Sequence, residues 1–405
     1  MFKFYLIKFL KINLVKKILI IPISFFCRIF NIKLLVNHMF GSTGHTFLEM
    51  HYFFLLEKKL NLKKYYYFLF MGKSKFAIEL KEIFPNFFIS NKNKPIFKLI
   101  IINKYLEYFL NIILSLDSKF TTDIGLGHYR NGRTNRTPLD GFNRYIDYYK
   151  RCNRNKLFIN KKIFSSESSH LRKKLGIHSN DIIVNIHLKE AANNACALKT
   201  NPSSYIEVIK YLKKKGYKIV FIGREKMPKI FEKYSVINYA NSKLANVKND
   251  LLITYMSSFN ICFASGIFSI ANILNKPILY LGSWHLNIQT KNSNCIYFPA
   301  VLKNKTNKTF VYYTDQIKYV MNVNGLIDLK KKKIKVINPS SNDILYSFKE
   351  LENLVNNKYK KATLQKKFNK KFYNHPQQFS QSVVSKKFLS KYYNKVFNEK
   401  KNILF

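Results

Sequence analysis

Four short segments of this 405-residue chain combine residue types that can bind a phosphate or move a proton. The first is His187-Leu188-Lys189-Glu190, at the end of the apolar run Asp181 to Leu188. Strand alternation puts His187 and Lys189 on one face. Lys189 can then pair with a phosphate, and His187 or Glu190 can orient a ligand or transfer a proton. A structural histidine at a strand end explains the same pattern. The second segment is Ser265-Gly266-Ile267-Phe268-Ser269, where a strand gives way to a helix. Free backbone N–H groups and the helix dipole favour a diphosphate there; Gly266 permits close approach and Ser269 can add a hydroxyl. An ordinary strand-to-helix turn with a serine cap fits these residues as well.

The third segment, Gly223-Arg224-Glu225, follows the next strand, and its arginine is informative because arginine is scarce in a lysine-biased chain. Most of the others gather in one loop-rich stretch as Arg130, Arg133, Arg136, Arg144, Arg151 and Arg154. A planar fork kept where lysine is the common cation points to bidentate phosphate or carboxylate binding. A solvated loop paired with Asp140 and Asp147 is the alternative. The fourth segment is Gly41-Ser42-Thr43-Gly44-His45, with Glu49 one turn beyond His45. At a helix start this pair can bind or deprotonate an acceptor hydroxyl, although helix caps use the same small residues. It is not a P-loop, since no Gly-Lys-Ser/Thr follows, and no histidine falls in a HExxH or similar metal-ligand pattern. No metal or cofactor is expected.

The elements that must position these residues read as alternating strands and helices. From Asp181 onward come the strand DIIVNIHL, a helix over Ser203 to Lys215, KIVFIG (Lys218 to Gly223) and a short helix around Lys229 to Tyr234. VINYA (Val236 to Ala240), a helix over Asn249 to Ser258, ICFASG (Ile261 to Gly266), a helix over Ile267 to Leu274 and PILYLG (Pro277 to Gly282) complete the series. Short apolar runs alternating with helices predict a doubly wound parallel sheet, whose ligand edge lies at the carboxyl ends of the strands. The first half repeats the pattern: strand Lys33 to Met39, helix Thr46 to Lys59, strand Tyr65 to Gly72, helix Lys75 to Phe84, strand Phe87 to Ser90, and a long apolar helix near Ile101 to Leu114. The expected class is therefore α/β, with two facing Rossmann-like lobes and a C-terminal helical tail. The expected boundaries are 1–160, 161–335 and 336–405, the tail being N-capped by Ser341, Asn342 or Asp343 and packing back across the lobes.

Composition narrows the partners. Lysine and arginine number 70 against 22 acidic residues, a net charge of +48, while 47% hydrophobic residues exclude a disordered chain. The excess is nearly all lysine, accompanied by abundant Asn, Ile, Phe and Tyr, and reads as drift across the chain rather than a nucleic-acid footprint. RNP, KH and zinc-knuckle patterns are missing, so no nucleic-acid partner is expected. Five cysteines (Cys27, Cys152, Cys196, Cys262 and Cys295) are widely spaced with no CxxC pair, which fits a reducing cytosol, and Cys262 reads as a small buried thiol. Lysines alternate with apolar residues through Lys17, and an apolar run broken by Pro22 follows to Cys27. That run is too short to span a bilayer, which takes about 20 residues. Two readings stand: a basic amphipathic anchor on an anionic membrane surface, or a buried first helix and strand.

The stretch from Leu157 to about Tyr297 resembles a family of GT-B glycosyltransferases found in bacterial surface-carbohydrate gene sets. The likeness runs through LGIHSNDIIVNIHLKE, SSYIEVIKYLKKKGYKIVFIGRE, VINYANS and ICFASGIFSIANILNKPIL, with weaker echoes in GSTGHTFLEM, DILYSFKELENLV and SKKFLSKYY. More distantly it is similar to heptosyltransferases and to fucosyltransferases carrying an HxR motif. The resemblance implies transfer of a sugar from a nucleotide donor held by the C-terminal lobe to a glycan or lipid-linked acceptor held by the N-terminal lobe, without an obligatory metal. It implies an HxRD-like motif at His187, Lys189 and Glu190, a diphosphate turn at Ser265, Gly266 and Ser269, and a loop GH at Gly44 and His45. The chain departs from the family pattern at Lys189, where arginine is usual, and at Glu190, where aspartate is. Lysine keeps the charge and loses the fork. A catalytically degenerate sugar-nucleotide-binding protein is the competing reading, and an RNA-binding protein a third.

Overall fold

Two sets of apolar runs build two separate parallel sheets. The computed structural model describes residues 13–36, 44, 46–47, 66–87, 97–114, 121–123, 160–189, 200–263, 265–282, 292–312, 332–373 and 382–397. The chain divides into two units, Met1–Phe164 and Ser165–Phe405.

In the first unit, helix α1 (Asn13–Ile29) leads into β1 (Ile32–Val36), followed by β2 (Tyr66–Gly72), α2 (Lys75–Phe87), β3 (Phe97–Ile102), α3 (Lys104–Leu114) and β4 (Thr121–Asp123). All pairings are parallel and the strand order is β3-β2-β1-β4. The chain steps from β1 out to β3 and then returns to the far side of β1. Right-handed crossovers therefore put α2 and α3 on opposite faces. Helix α1 packs beside α3, where Cys27 and Leu34 form a small core with Ile23, Phe68, Phe70 and Leu110. The long apolar helix expected from Ile101 starts only at Lys104. Phe97–Ile102 is instead a strand, because its β-branched run pairs with β2 from Tyr67↔Phe97 to Gly72↔Ile102. Asn103 then turns the chain, its side-chain oxygen accepting the Tyr105 N–H at 2.8 Å. Phe87, expected to open a strand, closes α2, and residues 88–90 lie outside the described residues.

The second unit opens within α4 (Lys161–Lys174) and continues through β5 (Ile183–Ile186), a 3-10 turn (Pro202–Tyr205), α5 (Ile206–Lys214), β6 (Lys218–Phe221), α6 (Lys229–Glu232) and β7 (Ile237–Asn238). Next come α7 (Val247–Met256), β8 (Phe259–Phe263), α8 (Gly266–Ile273), β9 (Ile278–Leu281) and β10 (Cys295–Phe298). The antiparallel pair β11 (Val301–Asn304) and β12 (Ile334–Ile337) stands apart from the main sheet. The tail holds α9 (Ser341–Val355), α10 (Thr363–Tyr373), β13 (Val383–Val384) and α11 (Lys386–Val396). Seven strands form one parallel sheet in the order β13-β10-β9-β8-β5-β6-β7. Strands β5, β8, β9 and β10 are buried along their whole length, as a sheet covered on both faces requires. The α/β class with two doubly wound units and a helical tail is what the chain adopts.

At the centre of this sheet Asn185 and Asn260 sit in register on β5 and β8, both fully buried. The Asn185 amide donates to the Asn260 side-chain oxygen at 2.9 Å, and Ser257 Oγ donates to the same oxygen at 3.1 Å. A one-residue slip would strand these amides in an apolar core, so the pair fixes register. The tail packs within its own unit. Helix α9 lies on α5 and on β9 and β10, and β13 adds an edge strand to β10. Its cap is Ser340, one residue before the expected candidates. Ser340 Oγ accepts the Asp343 N–H at 3.4 Å while the Asp343 carboxylate accepts the Ser340 N–H at 3.0 Å, a reciprocal box that outcompetes a single cap.

Candidate functional site

The order of the second sheet locates its ligand edge. From β5 the chain goes outward to β6 and β7, then crosses back to β8 on the other side of β5. The reversal falls between β5 and β8, and at their carboxyl ends the crossover connections diverge to opposite faces and leave a crevice. Strand β5 is followed directly by His187, Leu188 and Lys189, and β8 ends at Phe263, two residues before Ser265, which caps α8 at Gly266. Two of the four segments singled out in the sequence thus flank the switch point. The third, Gly223 to Glu225, follows the neighbouring β6.

His187 is 3% exposed, and its backbone N–H extends the β8 ladder by donating to the Ile261 carbonyl at 3.0 Å. Its Nε2 lies 3.4 Å from Glu225 Oε2. Its Nδ1 is buried and has no hydrogen-bond partner among the described residues. Gly223 makes this arrangement possible. A Cβ there would stand 2.7 Å from His187 Cδ2 and 2.8 Å from Glu225 Oε2, and its φ of +124° belongs to the region that favours glycine. Burial works to raise the Glu225 carboxyl, but the hydrogen bond and charge of His187, with the N–H groups of Glu225 and Arg224, hold it below the usual carboxylate range. The Arg224 N–H donates to Glu225 Oε2 at 3.0 Å while the Arg224 side chain points to solvent. Asn241 braces the turn from below: its side-chain oxygen accepts the Met227 N–H at 2.8 Å and its amide donates to the Glu225 carbonyl at 3.3 Å.

Lys189 is half-buried, and burial pushes its ammonium down while the Glu225 carboxylate pulls it back up. Its backbone is clamped by Thr200. The Lys189 N–H donates to Thr200 Oγ1 at 3.2 Å, and that hydroxyl and the Thr200 N–H both donate to the Lys189 carbonyl, at 3.2 and 3.0 Å. Thr200 therefore ties the chain beyond residues 190–199 back to the end of β5. The cluster so assembled holds one cation, one carboxylate and one imidazole, packed close on the Gly223 backbone. It can grip an anion through Lys189 and hold His187 in a fixed orientation through Glu225.

On the β8 side, Ser265 Oγ accepts the Phe268 N–H at 3.3 Å, and Ser269 Oγ donates to the Ser265 carbonyl at 3.4 Å. Both hydroxyls are engaged in the helix start, as an ordinary cap would have them. What remains for a ligand are the first-turn N–H groups of Gly266 and Ile267, which an α-helix leaves without intrahelical partners. They sit at the positive end of α8 and suit a phosphate oxygen.

The first sheet has the same logic, its reversal lying between β1 and β4. Strand β1 runs on into the segment with His45 and Glu49, and β4 into the segment with Arg130, Arg133 and Arg136. These five residues, and Glu190, lie outside the described residues. Of the fourth segment the structure describes Gly44, with Thr46 and Phe47 beyond it, all helical and buried. Glu225 and Thr200 are the site residues that sequence reasoning gave no role. Glu225 was marked only by following a strand-end glycine, and Thr200 by nothing, since ten residues separate it from its partner.

No family model matches the chain, and no curated protein matches it. Solved structures similar to it include a glycosyl transferase family 9 protein from Veillonella parvula, 14% identical, covering 62% of this chain and 80% of that one at a TM-score of 0.40. The E. coli ADP-heptose LPS heptosyltransferase II is 11% identical, with coverage of 80% and 99% and a TM-score of 0.47. The iron-containing dodecameric glycosyltransferase TibC of enterotoxigenic E. coli is 16% identical, with coverage of 63% and 59% and a TM-score of 0.38. All three fall below 0.5, and the fold stands on the strand order above.

Proposed function

We propose that this chain is a glycosyltransferase that moves a sugar from a nucleoside-diphosphate donor to a surface-polysaccharide or glycolipid acceptor. The observation that carries the reading is the convergence, at the switch point of the second sheet, of Lys189 with the N-terminus of α8. A cation and free N–H groups on adjacent strand ends are what a diphosphate needs. In this reading the second unit holds the donor through Lys189, Gly223, Arg224, Ser265, Gly266 and Ser269. The first unit holds the acceptor, with Arg130, Arg133 and Arg136 contacting its anionic groups. The proton leaves through one of His45, Glu49, His187 and Glu190, and no metal or cofactor takes part. His187, buried against Glu225, suits holding the donor end of the site in shape; the other three lie outside the described residues. A reducing, cytoplasmic setting is supported by five widely spaced cysteines with no CxxC pair; Cys27, Cys262 and Cys295 are buried thiols, and burial pushes those of Cys262 and Cys295 up.

A donor binder without turnover is the second reading, favoured by Lys189 standing where the resembling family has arginine. Thermal unfolding in the presence of UDP-, GDP- and ADP-sugars tests both. A donor at one hundred times its Kd stabilises by about 2.7 kcal/mol and raises Tm by roughly 5 °C. Lys189→Ala should abolish that rise. No rise with any nucleotide sugar, or an undiminished rise in Lys189→Ala, overturns the donor-site assignment. A rise without sugar transfer to any acceptor leaves the binder.

A further inference from the structure

Helix α1 carries apolar side chains on two faces. Ile20 and Cys27 point into the first unit, at 9% and 2% exposure. On the outward side, Ile18, Ile21, Phe25, Phe26, Ile29 and Phe30 are each more than half exposed, from 52% to 67%. Their spacing of three, four, one, three and one residues makes a single stripe along the helix. The Phe26 and Phe30 rings rest on each other with centroids 4.5 Å apart, so the aromatic end of the stripe is a joined patch. Single exposed apolar residues are ordinary on a protein surface, but six along one stripe mark an interaction surface.

Charge says what the surface meets. Residues 1–48 hold seven lysines and arginines, Lys3, Lys8, Lys11, Lys16, Lys17, Arg28 and Lys33, and no acidic residue. We infer that α1 lies in the plane of an anionic lipid surface, with Phe25, Phe26 and Phe30 at the depth where headgroups meet acyl chains and the cations among lipid phosphates. A second copy of the chain fits poorly, because α1 itself carries Lys16, Lys17 and Arg28 and no acid, so a two-fold contact of the helix would pair like charges without a compensating acid. Pro22 agrees with an in-plane helix. It cannot donate to the Ile18 carbonyl, and headgroups and water at the interface can satisfy a carbonyl that the hydrocarbon core cannot. No helix among the described residues is long and apolar enough to cross a membrane. This inference does not rest on sugar transfer.

Flotation of the full chain with lipid vesicles tests it. The chain should float with phosphatidylcholine vesicles containing phosphatidylglycerol and stay behind with phosphatidylcholine alone. The double variant Phe25→Ser/Phe26→Ser should bind at least about tenfold more weakly. Its Tm should be unchanged, because both rings are outside the core. The inference fails if the wild-type chain does not float with the anionic vesicles, or if the double variant floats as well as the wild type. It also fails if the stripe instead drives a concentration-dependent dimer that the variant abolishes, with no flotation.

Discussion

Glu225 and Glu350 are both partly buried glutamates of the second unit that accept backbone N–H groups, and their surroundings differ in kind. Glu350 sits among the tail helices. Its two oxygens accept from Ser385 Oγ at 3.0 Å, the Lys386 and Lys387 N–H groups at 2.9 and 3.2 Å, and the Tyr359 hydroxyl at 3.4 Å. It closes the start of α11, and burial raises its carboxyl despite these donors. Glu225 also has two backbone partners, its own N–H and that of Arg224, but adds an imidazole, and its carboxyl is held down instead. Gly223 lets this carboxylate and His187 pack against the backbone, and a half-buried lysine stands near. The first carboxylate is spent on joining helices. The second belongs to a cluster of imidazole, carboxylate and lysine at the carboxyl edge of the sheet, and that is the physical difference between a lock and a candidate site.

Gly223→Ala should break the contrast most strongly. The new Cβ would drive into His187 and Glu225, and a φ of +124° is strained for alanine. We expect a stability loss of roughly 3 kcal/mol and donor binding weakened by about a hundredfold or more, read from urea midpoints and titration calorimetry. Near-native donor binding would show that the close fit of His187 and Glu225 on Gly223 is packing and nothing more. Glu350→Ala should lose roughly 2 kcal/mol, since it strands donors at the α11 start, yet leave donor affinity in the folded protein unchanged. A matching loss of affinity would erase the distinction between the two carboxylates.

The smallest expected effect is in pH dependence, and the two glutamates should run in opposite directions around the ordinary glutamate value of 4.5. The folded-state value of Glu225 is depressed, so its contribution is present above 4.5 and fades as pH falls through the folded value. That of Glu350 is raised, so its contribution is full below 4.5 and fades as pH rises through the folded value. The deficit of Glu225→Ala should therefore shrink on acidification, and that of Glu350→Ala should shrink as pH rises. Parallel curves in chemical denaturation across this window would contradict the assignment of opposite environments.

Much of the second sheet was legible because parallel strands buried on both faces read as short, unbroken apolar runs. KIVF, FNICF and ILYL stand out for that reason, and the glycines after them mark the strand ends. Strand β10, the β11–β12 pair and β13 were not read. Residues 295–298 and 383–384 are too short to show a period, and they become strands only because β9 and then β10 offer an edge. The end of β3 differs: Ile101 and Ile102, an apolar pair before a helix, look like more helix until β2 is there to pair with them. In the site, His187, Lys189 and the serine turn were visible from residue type and position. The role of Glu225 and the clamp by Thr200 were not, since each depends on a partner remote in sequence.

The order of apolar runs, the glycines closing them and the lack of any acid before Glu49 were fixed by the residues themselves, because burial, backbone freedom and charge are local properties. Which strands became neighbours was decided only by folding. Placing β8 beside β5 made the switch point and brought the two asparagines into register. Placing β6 on the other side set Glu225 against His187. The turn of α1 that left six apolar side chains outward was decided the same way, for a helix cannot show which of its apolar faces will be covered until the sheet beneath it exists.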